Sequence, residues 1–67
     1  MNVTLNGEAY DLLGDQPTVR DLVVDLGLGK AAVAVEVNKI LIPKKQHETT
    51  SLNEGDAIEV VTLVGGG

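Results

Sequence analysis

The stretch Thr18-Val19-Arg20-Asp21-Leu22-Val23-Val24-Asp25-Leu26-Gly27 is the most clearly patterned part of the chain, and its pattern is that of one short amphipathic helix. Thr18 and Asp21 have the spacing of a capping box, in which each side chain pairs with the other residue's backbone N–H. Apolar residues follow at the helical spacing i, i+3, i+4 and i+7, namely Val19, Leu22, Val23 and Leu26. Gly27 stands where a left-handed residue commonly ends a helix. The pattern predicts one helix that buries a single face.

The residues before this helix predict a β-hairpin. Residues 2–6 alternate between polar and apolar side chains, as in a strand with one buried face. Asn6-Gly7 suits the positive φ angles of a two-residue turn. Residues 8–13 would then form the returning strand, which the turn-forming segment 14–17 ends.

The residues after the helix predict a second pair of strands. Residues 32–38 return to a period of two, with valines at 33, 35 and 37 on one side. Asn38-Lys39 marks a turn before the apolar segment 40–42. Pro43 ends that segment, because proline cannot donate a hydrogen bond to a β-ladder.

The last part of the chain predicts one more strand and a tail. Residues 44–52 are polar and are predicted to be irregular. Residues 57–64 are rich in β-branched side chains and predict a final strand. We therefore divide the chain into a domain over residues 1–64 and a flexible glycine tail over residues 65–67.

The order of these elements is that of the ubiquitin-like β-grasp fold. This α+β fold is a mixed sheet of four to five strands curled around one helix. In such an arrangement the last strand lies in the middle of the sheet and runs parallel to the first, because a right-handed crossover connects parallel strands.

Size and composition exclude several classes of function. A chain of 67 residues buries only roughly 60% of its unfolded surface, which leaves little area for a deep substrate pocket, so we expect no enzyme activity. A net charge of −5 and a single aromatic residue argue against a nucleic-acid partner. The lack of cysteine and the single histidine argue against a metal site.

The chain also lacks the patterns of a membrane or exported protein. No apolar run approaches the roughly 20 residues that a membrane span requires. The N-terminus has no charged region followed by an apolar core, as a leader peptide would have. We therefore expect a cytoplasmic protein without a membrane partner.

The three terminal glycines are the candidate site. Glycines lack side chains, so Gly65 and Gly66 can thread a narrow channel that any Cβ would block. Fully extended, the three residues reach roughly 10 Å. An idle tail is the alternative, but the β-grasp order ahead of it favours a tail that delivers the Gly67 carboxylate into another protein's active site.

The final strand suggests a docking surface beside this tail. If Ile58 and Val60 face the helix, strand parity places Glu59, Val61 and Leu63 on the opposite face of the sheet. Apolar side chains that face solvent often mark an interaction site. Coverage by neighbouring strands and loops is the alternative.

Several short motifs along the chain carry a family resemblance. They are Val35-Glu36-Val37-Asn38, Ile42-Pro43, His47, Leu52, Glu54-Gly55-Asp56, Ile58-Glu59-Val60-Val61 and Val64-Gly65-Gly66-Gly67. Together they resemble the ThiS family, the sulfur-carrier proteins of thiamine thiazole synthesis. The chain length and the spacing from Asn38 to Pro43 favour this family over the similar small subunit of molybdopterin synthase.

The resemblance implies a mechanism in which the chain binds no cofactor of its own. A ubiquitin-activating-type adenylyltransferase would use Mg-ATP to adenylate the Gly67 carboxylate. Sulfur from relay proteins would then give a thiocarboxylate, and thiazole synthase would use it as the sulfur donor for the thiazole ring. The alternatives are a molybdopterin-type carrier, a ubiquitin-like protein modifier, a β-grasp interaction module with an idle tail and, last, a small enzyme.

Overall fold

Residues 1–63, which the computed structural model describes, form a five-stranded sheet, one α-helix and a short 3-10 helix. The strands are β1 (Asn2–Leu5), β2 (Glu8–Asp11), β3 (Val33–Val37), β4 (Ile40–Ile42) and β5 (Ala57–Thr62). The α-helix α1 spans Val19–Asp25, and the 3-10 helix spans Lys44–Gln46. The glycine tail and the last residue of the predicted final strand lie outside the described residues.

The sheet has the strand order β2-β1-β5-β3-β4. β1 and β5 are parallel, with Thr4 opposite Ala57 and Leu5 opposite Ile58, and the other neighbours are antiparallel. The last strand therefore lies at the centre of a mixed sheet beside the first, as predicted. The topology confirms the ubiquitin-like β-grasp fold.

Both hairpins turn on two residues with positive φ angles. Asn6 and Gly7 have φ angles of 51° and 84°, and Asn38 and Lys39 have φ angles of 52° and 71°. Such turns match the right-handed twist of the strands that they join. Both predicted turns are confirmed.

The helix packs against the sheet through the predicted apolar face. Thr18 and Asp21 form the capping box that the sequence predicts. The buried core combines residues of α1, five strand positions on β1, β3 and β5, and two positions outside these elements: Val3, Leu12, Val19, Leu22, Val23, Val35, Val37, Leu52, Ile58 and Val60. No helix within residues 1–63 is long and apolar enough to cross a membrane.

Three segments differ from the prediction. β2 ends at Asp11, before the predicted residue 13; Leu12 N still donates to Met1 O at 2.8 Å, and Leu13 after it is 79% exposed. The segment 44–52 is not wholly irregular, since Pro43 starts the 3-10 helix and its carbonyl accepts a hydrogen bond from Gln46 N at 2.8 Å. β5 ends at Thr62, although the backbone N–H of Leu63 still donates to Ala32 O at 2.9 Å.

Candidate functional site

The two faces of β5 have opposite characters. Ile58 and Val60 point to the helix and are 1% and 8% exposed. Val61 and Leu63 lie on the other face and are 57% and 53% exposed, and Glu59 beside them is also exposed. The strand parity that the sequence predicts is confirmed, and the face of the sheet away from the helix is open within the described residues.

The register of the sheet adds three residues to this face. Across from β5, Ala34 lies opposite Val61 and Glu36 lies opposite Glu59. Leu41 of β4 lies opposite Glu36 and is 61% exposed. We call this set the open-face patch: Ala34, Glu36, Leu41, Glu59, Val61 and Leu63.

Sequence reasoning missed half of the open-face patch. The alternation of β3 places Ala34 and Glu36 opposite the buried valines, so the signal for their outward orientation was present. The alternation does not say which residue of β5 each one meets, because that depends on the register between strands far apart in the chain. The structure supplies this register.

The open-face patch is both apolar and negatively charged. Glu36 and Glu59 are direct cross-strand neighbours, and like charges at such positions disfavour each other. The ion pair described within residues 1–63 joins the Met1 amino group to Asp11 Oδ1 at 3.5 Å and involves neither glutamate. A surface of this kind suits a protein partner that brings apolar side chains and cations.

The carboxylates of the turn before β5 have structural partners. Glu54 accepts a hydrogen bond from Asn2 N at 3.1 Å. Asp56 accepts one from Asn53 N at 2.8 Å and one from Asn38 Nδ2 at 3.0 Å. These acids therefore stabilise the turn and its contacts with the neighbouring strands.

His47 has a structural role. It is 4% exposed, and its Nε2 donates a hydrogen bond to the carbonyl oxygen of Ile42 at 3.0 Å. Residues 1–63 contain no group of three or more side chains that could hold a metal ion.

The predicted reactive residue lies beyond the described part of the chain. The predicted adenylation site Gly67 and the predicted threading residues Gly65 and Gly66 are outside residues 1–63. Leu63, the last described residue, belongs to the open-face patch. A predicted docking residue therefore stands only four positions before the predicted reactive residue in the sequence.

Comparison with known sequences identifies relatives over the whole chain. The model of the ThiS family matches residues 3–67. The sulfur carrier protein ThiS of Bacillus subtilis (strain 168) is 38% identical over 63 residues, which make up 94% of this chain and 96% of that protein. A thiazole synthase of Paramagnetospirillum magneticum is 36% identical over 67 residues, and the chain spans only 20% of its length.

Comparison with solved structures agrees with the sequence matches. The crystal structure of the thiamine biosynthesis protein ThiS from Geobacter metallireducens matches with a TM-score of 0.83 and 32% identity. The match covers 100% of both chains. The family model, the B. subtilis relative and the Geobacter structure all match over nearly the whole chain and point to one family. The chain belongs to the ThiS family.

Proposed function

We propose that this chain is a sulfur carrier whose Gly67 carboxylate is converted to a thiocarboxylate. The observation that carries the proposal is the family match over residues 3–67, which includes all three terminal glycines. The B. subtilis sulfur carrier, whose length this chain covers almost completely, supports the same role. In this proposal the chain is a substrate of other enzymes and not an enzyme itself.

The chemistry requires an activating partner, because a free carboxylate is a poor electrophile. A ubiquitin-activating-type adenylyltransferase would bind Mg-ATP, and the Gly67 carboxylate would attack the α-phosphate and release pyrophosphate. The outer sulfur of a relay-protein persulfide would then attack the acyl carbon and displace AMP. A thiol reductant would cleave the S–S bond of the resulting acyl disulfide, which releases the Gly67 thiocarboxylate and oxidises the thiol to a disulfide. The chain contains no cysteine, so no internal thiol competes for the activated acyl group.

Thiazole synthase is the acceptor that we propose for the sulfur. The support is the thiazole synthase of P. magneticum, in which a region similar to this chain makes up 20% of the protein. A second thiazole synthase, from Magnetococcus marinus, contains a region 37% identical to this chain. A carrier and an acceptor that occur in one polypeptide are expected to work in consecutive steps.

We further propose that partners dock on the open-face patch. Val61 and Leu63 expose apolar surface whose burial by a partner is favourable. Glu36 and Glu59 would attract positively charged side chains at the edge of the partner's binding surface. The patch includes the last described residue before the tail, so a partner that covers it lies within reach of the terminal glycines. Four residues separate Leu63 from the Gly67 carboxylate, and fully extended they span roughly 13 Å.

Intact mass measurement after a reconstituted reaction tests the function. The chain is incubated with a ThiS-type adenylyltransferase, Mg-ATP, a cysteine desulfurase and relay protein, cysteine, and a thiol reductant such as dithiothreitol, which supplies the two electrons that release the thiocarboxylate. We expect the mass to increase by the difference between sulfur and oxygen, and thiazole synthase to consume the product. Covalent conjugates with other proteins would instead indicate a modifier, and an unchanged mass would contradict carrier chemistry.

A pair of matched variants tests the docking surface. Val61→Asp places a charge in the open-face patch, and Leu13→Asp places one at a position that is 79% exposed in the loop before α1. We expect Val61→Asp to lower kcat/KM for adenylation by at least about fivefold, the cost of losing a significant interface residue. Equal effects of the two variants would contradict docking at the patch.

A further inference from the structure

Two asparagine side chains hold β5, one near each end of the strand. At the start, Asn38 Oδ1 accepts a hydrogen bond from Ala57 N at 3.0 Å. Near the other end, Asn6 makes two bonds to one residue: its Oδ1 accepts from Val60 N at 2.9 Å, and its Nδ2 donates to Val60 O at 3.2 Å. Asn6 and Val60 are 54 positions apart in the sequence.

The side-chain bonds from Asn6 take the place of backbone bonds that β1 no longer makes to β5. The parallel pairing of β1 with β5 stops at Leu5 opposite Ile58, whereas β5 continues to Thr62. The backbone N–H of Asn6 still donates to Ile58 O at 2.8 Å before the hairpin turns away. The amide side chain then offers Val60 a donor and an acceptor, as the next peptide group of a strand would.

The other side of β5 is held by β3 over the same stretch. Ala34 lies opposite Val61, and Leu63 N donates to Ala32 O at 2.9 Å. Val60 is therefore fixed from both sides three positions before the last described residue. The bonds from Asn6 are partly buried, which strengthens them relative to bonds exposed to water.

We propose that Asn6 is a positioning residue, which fixes the direction in which the chain leaves the sheet relative to the open-face patch. This inference rests on the proposed function. A partner that grips Val61 and Leu63 must receive Gly67 in its own active site. A small change in the direction of the backbone at Val60 would grow with distance along the chain and be largest at Gly67, and reaction rates are sensitive to misplacement of about 1 Å.

The proposed role predicts a separation of kcat from KM. Loss of the Asn6 side chain removes no residue of the open-face patch, and the pairing of β5 with β3 still keeps Val61 and Leu63 on the open face. The KM of the adenylating enzyme for this chain should therefore change little. The carboxylate would reach the active site in the productive geometry less often. We therefore expect kcat to fall about 10-fold to 100-fold.

Asn6→Gly tests this prediction, with Asn38→Gly as the matched control. Both asparagines are the first residue of a two-residue hairpin turn, with φ angles of 51° and 52°, which glycine tolerates. Each variant removes side-chain bonds to the backbone of β5, but only Asn6 lies at the end that leads to the tail. Both variants are assayed below their unfolding temperatures. We expect Asn6→Gly to have a lower kcat with unchanged KM, and Asn38→Gly to have an unchanged kcat.

Amide hydrogen exchange gives a readout independent of the reaction. We expect the N–H groups of Val60 and Leu63 to exchange faster in Asn6→Gly than in Asn38→Gly. Asn6→Asp is a second variant, because aspartate also adopts positive φ and keeps an acceptor for Val60 N while losing the donor to Val60 O. Like Asn6→Gly, it should lower kcat and speed the exchange of the Val60 and Leu63 N–H groups.

The outcomes separate this inference from the proposed function. A wild-type chain that is never adenylated overturns the proposed function, and the positioning role with it. A wild-type chain that reacts while Asn6→Gly keeps its kcat overturns only the positioning role. Equal losses of kcat in Asn6→Gly and Asn38→Gly also overturn it, because they would show a general effect of a weakened β5.

Discussion

Glu36 of β3 and Glu59 of β5 lie directly opposite each other in the open-face patch. Two like charges at such positions destabilise the free domain, and a cationic partner would remove the repulsion on binding. We predict that Glu59→Gln raises the free energy of unfolding by up to about 1 kcal/mol. The same change should raise the KM for adenylation, because it removes an attraction for the partner.

Glu8→Gln is the matched control for this prediction. Glu8 is also an exposed strand glutamate, but it lies opposite Leu5, so its loss changes the net charge without relieving a like-charge pair. Denaturant unfolding and the salt dependence of KM distinguish the two variants, since screening weakens attraction between exposed charges. If Glu8→Gln matched Glu59→Gln in both measurements, the effect would come from net charge alone.

Local features of the fold could be predicted from the sequence because neighbouring residues decide them. The capping box needs only Thr18 and Asp21, and each hairpin turn needs only two residues with positive φ. The 3-10 helix at Lys44–Gln46 was missed because polar residues carry no periodic signal, and it begins only where Pro43 ends β4.

Long-range features of the site required the structure. The sequence predicts that Glu59, Val61 and Leu63 face away from the helix, but Glu36 and Leu41 join them only through the register of three strands. The two-residue turn alone accounts for an asparagine at position 6, because asparagine tolerates a positive φ angle. Nothing in the sequence therefore predicts the side-chain bonds from Asn6 to Val60. A residue that satisfies one local rule can therefore hold a second, distant role.

The capping box should contribute measurably to stability. Thr18 Oγ1 accepts from Asp21 N at 3.2 Å, and Thr18 N donates to Asp21 Oδ2 at 2.8 Å. The helix has only 7 residues, and short helices depend on their caps and packing. We expect Thr18→Ala to lower the free energy of unfolding by about 0.5–2 kcal/mol, measured by denaturant titration. Thr18→Ser keeps the hydroxyl and should lose much less; equal losses would show that the cap is not the cause.

Tyr10 links β2 to the end of α1, and its hydroxyl should lose its proton at a higher pH than an ordinary tyrosine does. Its hydroxyl donates a hydrogen bond to Asp25 Oδ2. This bond, then desolvation and the negative charge of Asp25, raises the pKa of Tyr10 above its ordinary value of 10.0. We expect the ultraviolet titration of this sole tyrosine to have its midpoint above pH 10.0 and Asp25→Asn to lower that midpoint.

The raised pKa of Tyr10 also fixes the sign of a stability effect. The folded protein holds the phenol proton more tightly than the unfolded chain does, so the contribution is complete below pH 10.0 and is lost as the pH rises through the folded-state pKa. The difference in free energy of unfolding between wild type and Tyr10→Phe should therefore shrink at high pH. A difference that stays constant across this range would refute the assignment.

The terminal glycines should tolerate no side chain if they thread an enzyme channel. Gly66→Val adds a branched Cβ next to the reactive residue and restricts the backbone, whereas the core described within residues 1–63 is unchanged. We expect the unfolding temperature to stay the same and kcat/KM for adenylation to fall at least about 100-fold. Gly66→Ala, with a single methyl group, should have an intermediate effect, and intact mass would show the thiocarboxylate forming slowly. If Gly66→Val gained sulfur at the wild-type rate, the terminal glycines would not be needed as a side-chain-free lead to the reactive carboxylate, and only the last carboxyl group would matter.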